Sequence, residues 1–294
     1  TEIYTLSLHD ALPISRRLRH VSDMDRSPVS EESIRNARHA YFGAVSFVDD
    51  QIARVLEALR VTGQADDTII VLLGDHGDML GERGLWYKMS FFEPSARIPL
   101  IVHAPGRIRG RRVAASVSSM DLLPTLVELA GDGAPAVPYA TPIEGRSLLP
   151  HLNGTGGHDE AIGEYLGEGA IAPIVMIRRG SEKFIHSPAD PDQLYDLADD
   201  PDELENRAAV PAGAAAVAAY REEVQRRWDI PALHRLVLAS QRRRRLVYDA
   251  LCRGTRRSWD HQPVRDAGET YMRNHIDLDD LEALARFPRP APAR

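Results

Sequence analysis

The residues of this chain best suited to chemistry lie together, in Gly74-Asp75-His76-Gly77. An aspartate followed directly by a histidine offers two potential metal ligands, and the flanking glycines let the backbone come close to an ion. The same tetrapeptide also reads as an ordinary strand-end turn with a solvated Asp and His. The following run, Asp78-Met79-Leu80-Gly81-Glu82-Arg83-Gly84-Leu85-Trp86-Tyr87-Lys88, mixes glycines and charges in a way that excludes a regular helix. It delivers a lysine thirteen positions beyond Asp75. A loop can fold that ammonium back over a metal, where it neutralises charge developing on a leaving group or holds a sulfate or phosphate oxygen.

The elements that must position these residues can be read from periodicity. After Ser30, an N-cap candidate followed by Glu31 and Glu32, apolar residues recur at Tyr41, Val45, Val48, Ile52, Val55 and Leu59, which predicts a helix ending near Gly63. The β-branched run Thr68–Leu73 reads as a buried strand of a mainly parallel sheet. Asp75 then sits at the carboxyl end of that strand, where open α/β sheets bind ligands. A second strand is expected at Ile98–His103, closed by the Ala104-Pro105-Gly106 turn, and a helix at Ser119–Ala130 stopped by Gly131. This order predicts a layered α/β core. Pro and Gly thicken from Gly131 to Gly157 and mark its boundary. Beyond it, Ile174–Arg178, Lys183–His186 and Leu194–Leu197 read as a small antiparallel sheet covered by a helix at Ala212–Trp228, and a tail of basic helix, turns and an acidic segment follows. The expected organisation is a leader at 1–15, an α/β core at 16–155, a small α+β subdomain at 156–230 and an extension at 231–294. The leader, TEIYTLSLHDALPIS, lacks amphipathic order, resembles translated sequencing adapter, and is expected to be non-native.

At 294 residues and 43% hydrophobic content the chain can bury a sizeable core. A net charge of −7 argues against nucleic acid or an anionic membrane surface as partner and leaves a small substrate. The basic run Arg242–Arg245 has no interleaved aromatic residues and reads as a solvated helix face. No apolar run long enough to span a membrane appears. A single cysteine, Cys252, permits no internal disulfide, and the expected location is the cytoplasm.

The segment GDHGDMLGERGLWYKMSFFEPSARIPLIVHAPG resembles the C-terminal metal and lysine motif of the alkaline phosphatase-like sulfatases, most closely the choline sulfatases. HAYFGAVSFVDDQI, SSMDLLPTLVELAG, LYDLADDPDELENRA and the tail WDHQPVRDAGETYMRNHIDLDDLEALARFP extend the likeness from about Arg16 to Pro288. The resemblance implies hydrolysis of choline-O-sulfate to choline and sulfate, with Asp75 and His76 on a divalent metal, normally Ca²⁺, and catalytic roles for His76 and Lys88. Lys88 would contact the sulfate. Imidazole suits Mn²⁺ or Zn²⁺ better than Ca²⁺, so Mn²⁺ stays open, and with calcium His76 could instead hydrogen-bond a substrate oxygen. Glu164 and Glu168 are the carboxylates expected near a quaternary ammonium, or else a solvated loop face. Asp277, Asp279 and Asp280 could reach a neighbouring subunit, so the parent protein is expected to be a homo-oligomer joined through its tail.

The resemblance also implies a Cys-x-Pro-x-Arg motif whose cysteine becomes formylglycine, placed ahead of the metal motif. Here Cys252-Arg253-Gly254-Thr255-Arg256 has glycine in place of proline and follows the metal motif, so Cys252 reads as an ordinary thiol. The chain is therefore expected to be a C-terminal fragment without the nucleophile, inactive alone, with uncovered apolar faces. A phosphonate or phosphate monoester hydrolase of the same superfamily, and a non-catalytic truncated product, are the alternatives. Glu93 and Arg97, four apart, are expected to pair and steady the lysine loop, and Trp86, Phe91 and Phe92 to pack beside it.

Overall fold

The computed structural model describes residues 12–22, 24–26, 29–131 and 139–254. The chain divides into two compact units, one of residues 1–24 with 29–230 and one of 25–28 with 231–294.

In the first unit, α1 (Pro13–Val21) starts on a proline, whose fixed φ suits a first turn, and buries Ile14, Ser15 and Leu18. The helix thus runs across the boundary expected at residue 15; residues 1–11 lie outside the described residues. Helix α2 (Glu31–Val61) has the expected N-cap, with the Ser30 hydroxyl accepting from the Ser33 N–H at 3.1 Å. It closes where Thr62 caps and Gly63 takes φ +70°.

Strand β1 (Ile70–Leu73) leads into a tight hairpin of β2 (Met79–Leu80) and β3 (Trp86–Tyr87), then one turn of helix α3 (Glu93–Ala96), then β4 (Leu100–His103). Strands β1 and β4 pair antiparallel, Ile70 opposite His103 and Leu73 opposite Leu100. The expectation of a mainly parallel sheet is therefore corrected: among the described residues every strand pair is antiparallel. The reason is the connection. Residues 74–99 form a wide loop that returns Pro99 beside Gly74, whose N–H reaches the Pro99 carbonyl at 3.4 Å, whereas a parallel pair needs a crossover that carries the chain back to the other end. An apolar β-branched run reports burial and does not report strand direction.

Helix α4 (Leu122–Ala130) follows a capping box in which the Ser118 hydroxyl and the Asp121 carboxylate satisfy each other's backbone N–H groups, and it stops at Gly131. After α5 (Leu149–Asn153) come β5 (Glu160–Tyr165), β6 (Ile174–Arg179), β7 (Glu182–Ser187) and β8 (Asp190–Asp196), one antiparallel sheet in that order. β5 was not anticipated, because Glu-Ala-Ile-Gly-Glu-Tyr carries neither clean alternation nor a β-branched run. Helix α6 (Ala214–Arg227) covers the sheet as expected. The sheet is buried on both sides. One face sends Val175, Ile177, Phe184 and Leu194 against Val217, Tyr220 and Val224 of α6, with Tyr220 stacked on Phe184 at 5.1 Å. The other sends Ile174, Met176, Ile185 and Tyr195 against Ile14, Leu18, Met79, Leu85 and Phe92. The hairpin loop and α1 are thus a layer of the same core.

Within that core lies a charge cluster. The Lys183 ammonium, 1% exposed, lies 2.6 Å from Glu93 Oε1 and 2.8 Å from Glu203 Oε1, and donates to the Phe91 carbonyl at 2.8 Å. The other Glu203 oxygen accepts the Glu93 N–H at 2.6 Å. The expected Glu93–Arg97 pair is present but loose, at 4.0 Å with Arg97 in solvent. Lys183, distant in sequence, is the short partner.

The second unit, among the described residues, consists of Asp25 and Arg26, α7 beyond its first residue (Ile230–Leu251) and the short turn that follows it. Asp277, Asp279 and Asp280 lie outside the described residues. No described helix is long and apolar enough to cross a membrane.

Burial pushes the Glu203 carboxyl up and the Lys183 ammonium pulls it back. Replacing Lys183 with methionine leaves two carboxylates facing each other in a dry site and is expected to cost about 3–5 kcal/mol. Without its counter-charge, Glu203 titrates higher in the folded than in the unfolded chain, so folding is favoured by its protonation and disfavoured as pH rises through the raised value. Urea melts should therefore show the Lys183→Met deficit narrowing as pH falls from about 7.5 to about 5. A deficit independent of pH would show that the cluster carries no net charge.

Candidate metal and anion site

Strand β1 ends at Leu73, and the next four residues turn outward at the rim of the β1–β4 pair. The His76 N–H donates to Asp75 Oδ1 at 3.0 Å, which is the main reason the Asp75 carboxyl is held below the usual aspartate range. The His76 ring is oriented by its other nitrogen, Nδ1, which lies 2.8 Å from the Gly77 carbonyl and so donates to it. That leaves Nε2 with a free lone pair. Lys88 Nζ lies 2.8 Å from Nε2 and Asp75 Oδ2 lies 3.2 Å from it. Asp75 itself is 86% exposed, so its carboxylate is open to an ion from solvent.

Gly77 fixes where the turn sits. Its N–H donates to the Ser95 carbonyl at 2.8 Å, and a Cβ there would stand 2.0 Å from the Pro94 carbonyl oxygen, so only glycine allows the turn to lie against α3. Ser95, buried in α3, holds the lysine as well: its hydroxyl donates to the Lys88 carbonyl at 2.6 Å, with the Ser90 carbonyl at 2.9 Å. One small residue thereby ties the Asp-His turn to the lysine. Sequence reasoning missed it, since a serine after a proline in a short apolar-flanked segment carries no pattern of its own. Tyr87, next to Lys88, sits at φ +68°, a conformation that costs a non-glycine residue about 1 kcal/mol or more and persists only under such constraint.

Further clamps reach the loop from the helices. Arg38 of α2 donates to the Leu80 carbonyl at 3.0 Å and to Glu82 at 2.7 Å, and Arg19 of α1 donates to the Gly84 carbonyl at 2.8 Å. Arg83 lies over the Phe92 ring, 4.2 Å from its centre. Phe91 and Phe92 face inward as the expected packing residues, lining a cavity of about 30 Å³ with Ile14, Leu18 and Tyr165.

The two acids proposed for an ammonium group stand elsewhere. Glu164, exposed on β5, accepts from the Trp228 indole N–H at 2.7 Å. Glu168 accepts from the Tyr165 hydroxyl at 3.1 Å. Among the described residues no hydrogen bond or ion pair joins either of them to Asp75, His76 or Lys88. The exposed Glu164–Trp228 pair does place a carboxylate beside an aromatic ring. Cys252, exposed just after α7, has Gly254 where a formylglycine-type motif has proline, and so does not fit that group.

As metal ligands, Asp75 and His76 fit: an oxygen and a nitrogen converge within 3.2 Å, both as acceptors. Among the described residues no group of three or more His, Cys, Asp or Glu side chains could hold an ion, so this pair supplies two positions of a shell that for calcium needs about six to eight.

Comparison with known proteins gives the family. Residues 5–132 match the sulfatase family model, and 81–228, half of the chain, match the model of the C-terminal region of N-sulphoglucosamine sulphohydrolase. The chain belongs to the sulfatase family. Residues 235–287 match the model of the choline sulfatase C terminal. A choline-sulfatase of Rhizobium meliloti is 42% identical over 98% of this chain and 56% of its own length. Among solved structures, a phosphonate monoester hydrolase of Agrobacterium radiobacter is 32% identical, with a TM-score of 0.60 over 70% of this chain and 43% of that one. A putative sulfatase of Bacteroides thetaiotaomicron is 27% identical, with a TM-score of 0.67 over 76% and 50%. The sulfatase chain described here thus spans about half the length of these relatives.

Alanine at Gly77 must push the Asp-His turn away from α3. It is expected to cost about 1–3 kcal/mol, read as a lower urea midpoint, and to weaken Mn²⁺ binding in titration calorimetry. Unchanged binding and stability would show that the turn is not seated on Pro94 and Ser95.

Proposed function

We propose that this chain carries the metal and lysine half of a sulfuric ester hydrolase acting on choline-O-sulfate. The observation that carries the reading is the approach of Asp75 Oδ2 and Lys88 Nζ to the same atom, His76 Nε2, at 3.2 Å and 2.8 Å, at the rim of β1. A divalent cation bound by Asp75 and His76, Ca²⁺ or alternatively Mn²⁺, would supply fixed positive charge to the sulfate oxygens. Asp75 contributes a carboxylate that stays ionised below the usual aspartate range, so its capacity as a ligand persists as pH falls. His76 presents Nε2 because Gly77 holds Nδ1–H. Lys88 donates from its ammonium to an anionic ester oxygen as charge builds on the leaving group. Its backbone is pinned by Ser95, so that donor is positioned before substrate arrives.

Choline as the leaving alcohol is supported by the match of 235–287 to the choline sulfatase C terminal and by the 42% identity to the choline-sulfatase. The reading carries with it a homo-oligomer joined through 231–294 and a cytoplasmic location, in which a single cysteine would stay a thiol. A second reading, a phosphonate monoester hydrolase, rests on the solved Agrobacterium radiobacter structure.

No cysteine in this chain stands in a nucleophile motif, so the chain by itself should not turn over choline-O-sulfate with Ca²⁺ or Mn²⁺; turnover near that of a full-length relative would overturn this. Joined to the part of the Rhizobium meliloti choline-sulfatase outside its match, it should hydrolyse choline-O-sulfate faster than phenylphosphonate esters. In that chimera Lys88→Ala is expected to lower kcat/KM by about 10²–10³-fold. A preference for the phosphonate ester would establish the second reading instead.

A further inference from the structure

Only two of the 36 basic side chains in this chain are lysines, Lys88 and Lys183. The first is exposed at the candidate site and the second is buried in the four-stranded sheet, yet a path of short contacts joins them. Lys183 Nζ donates to the Phe91 carbonyl and pairs with Glu93 Oε1 and Glu203 Oε1, while the second Glu203 oxygen accepts the Glu93 N–H at 2.6 Å. Glu93 opens α3, a single turn of four residues, too short to hold its shape unaided. Pro94 gives that turn no N–H, and the Ser95 and Ala96 N–H groups both donate to the Phe92 carbonyl, at 2.9 Å and 2.8 Å. The Glu93 N–H is thus satisfied from outside the turn, by a residue 110 positions further along the chain. From the same turn the Ser95 hydroxyl donates to the Lys88 and Ser90 carbonyls, and the Ser95 carbonyl accepts the Gly77 N–H. Tyr87, one residue before Lys88, keeps φ +68°, a backbone that persists only where contacts hold it.

Stability alone does not account for a lysine and a glutamate each 1% exposed. Apolar residues of similar volume serve a sheet as well or better, because desolvation offsets most of what the pair gains. What apolar residues cannot do is accept the Glu93 N–H and hold the Phe91 carbonyl. We propose that Glu203, together with Lys183, is a positioning residue for Lys88: it anchors α3 through the Glu93 N–H, and α3, through Ser95, fixes the Lys88 backbone so that the ammonium stands beside His76. Glu203 acts only through these residues and meets neither substrate nor ion. That a fixed ammonium serves catalysis rests on the sulfuric ester hydrolase reading; the fixing itself does not, and is measured without substrate or metal.

With two lysines, the chain grown on lysine carrying ¹³C at Cε gives two methylene signals, one for each residue. The double variant Lys183→Met/Glu203→Leu exchanges the buried pair for apolar groups of similar size, so its urea midpoint should match that of the wild-type chain. Its Lys88 signal is expected to lose its heteronuclear NOE and fall to the value of the urea-unfolded chain, and the Gly77 amide to exchange hydrogen about five- to tenfold faster, while amides of β6 exchange as before. Glu203→Gln, which keeps an acceptor for the Glu93 N–H, should retain most of the wild-type NOE and exchange. A stable double variant whose Lys88 and Gly77 behave as in the wild-type chain overturns the proposal, since packing alone would then hold the loop. Exchange quickened equally in β6 overturns it too, because the pair would then serve general stability. Ser95→Ala tests the last link without touching the buried pair: Lys88 should be released while the Lys183 signal stays in place, and an unchanged Lys88 signal overturns the path through α3. A chain that holds Lys88 in this way and yet supports no sulfate ester hydrolysis would refute the proposed function and leave the positioning role standing.

Discussion

The lysine that the candidate site needs is held in place by a different lysine. Lys183, on the second strand from the edge of the four-stranded sheet, is taken out of water and must be compensated there, and its compensation comes from Glu93 at the start of α3 and Glu203 beyond β8. A buried charge of this kind adds little net stability, because desolvation offsets most of the Coulombic gain. What it imposes is register. Only one placement of the loop gives the ammonium its two carboxylates and the Phe91 carbonyl together, and that placement sets α3, hence Ser95, hence the turn at Gly77 and the backbone of Lys88.

The sheet of β5 to β8 is therefore more than an appended subdomain. Its inward face, with Ile174, Met176, Ile185 and Tyr195, is the floor on which the hairpin loop is packed, and Gly163 on β5 leaves the space that Phe91 occupies, since a Cβ there would stand 2.6 Å from that ring. Arg19 of α1 and Arg38 of α2 hold the loop through the carbonyls of Gly84 and Leu80. A loop with Gly81 and Gly84, and with Arg83 and Tyr87 also at positive φ before its lysine, is thus stiffened by packing and by charge-assisted hydrogen bonds together. This is how an exposed site can still be preorganised.

At the rim, Asp75 Oδ2 and Lys88 Nζ both approach one atom, His76 Nε2, at 3.2 Å and 2.8 Å. The imidazole nitrogen is thus the point at which the Asp-His turn and the lysine loop meet.

Much of this was legible in the residues. The Ser30 cap and the Gly63 stop bounded α2 and the Ala104-Pro105-Gly106 turn bounded β4, because caps and turn residues act locally and leave local marks. Strand direction, the strand β5, the partner of Glu93 and the role of Ser95 left none. Each depends on a residue brought from a distant part of the chain: Pro99 to Gly74, Phe91 to Gly163, Lys183 to Glu93, Gly77 to Ser95. Sequence by itself determined where the helices start and stop and that an aspartate, a histidine and a lysine follow β1 within a short span. Tertiary structure decided which of them meet, because burial, desolvation and the return path of a loop are properties of what surrounds a residue and not of its neighbours in the chain.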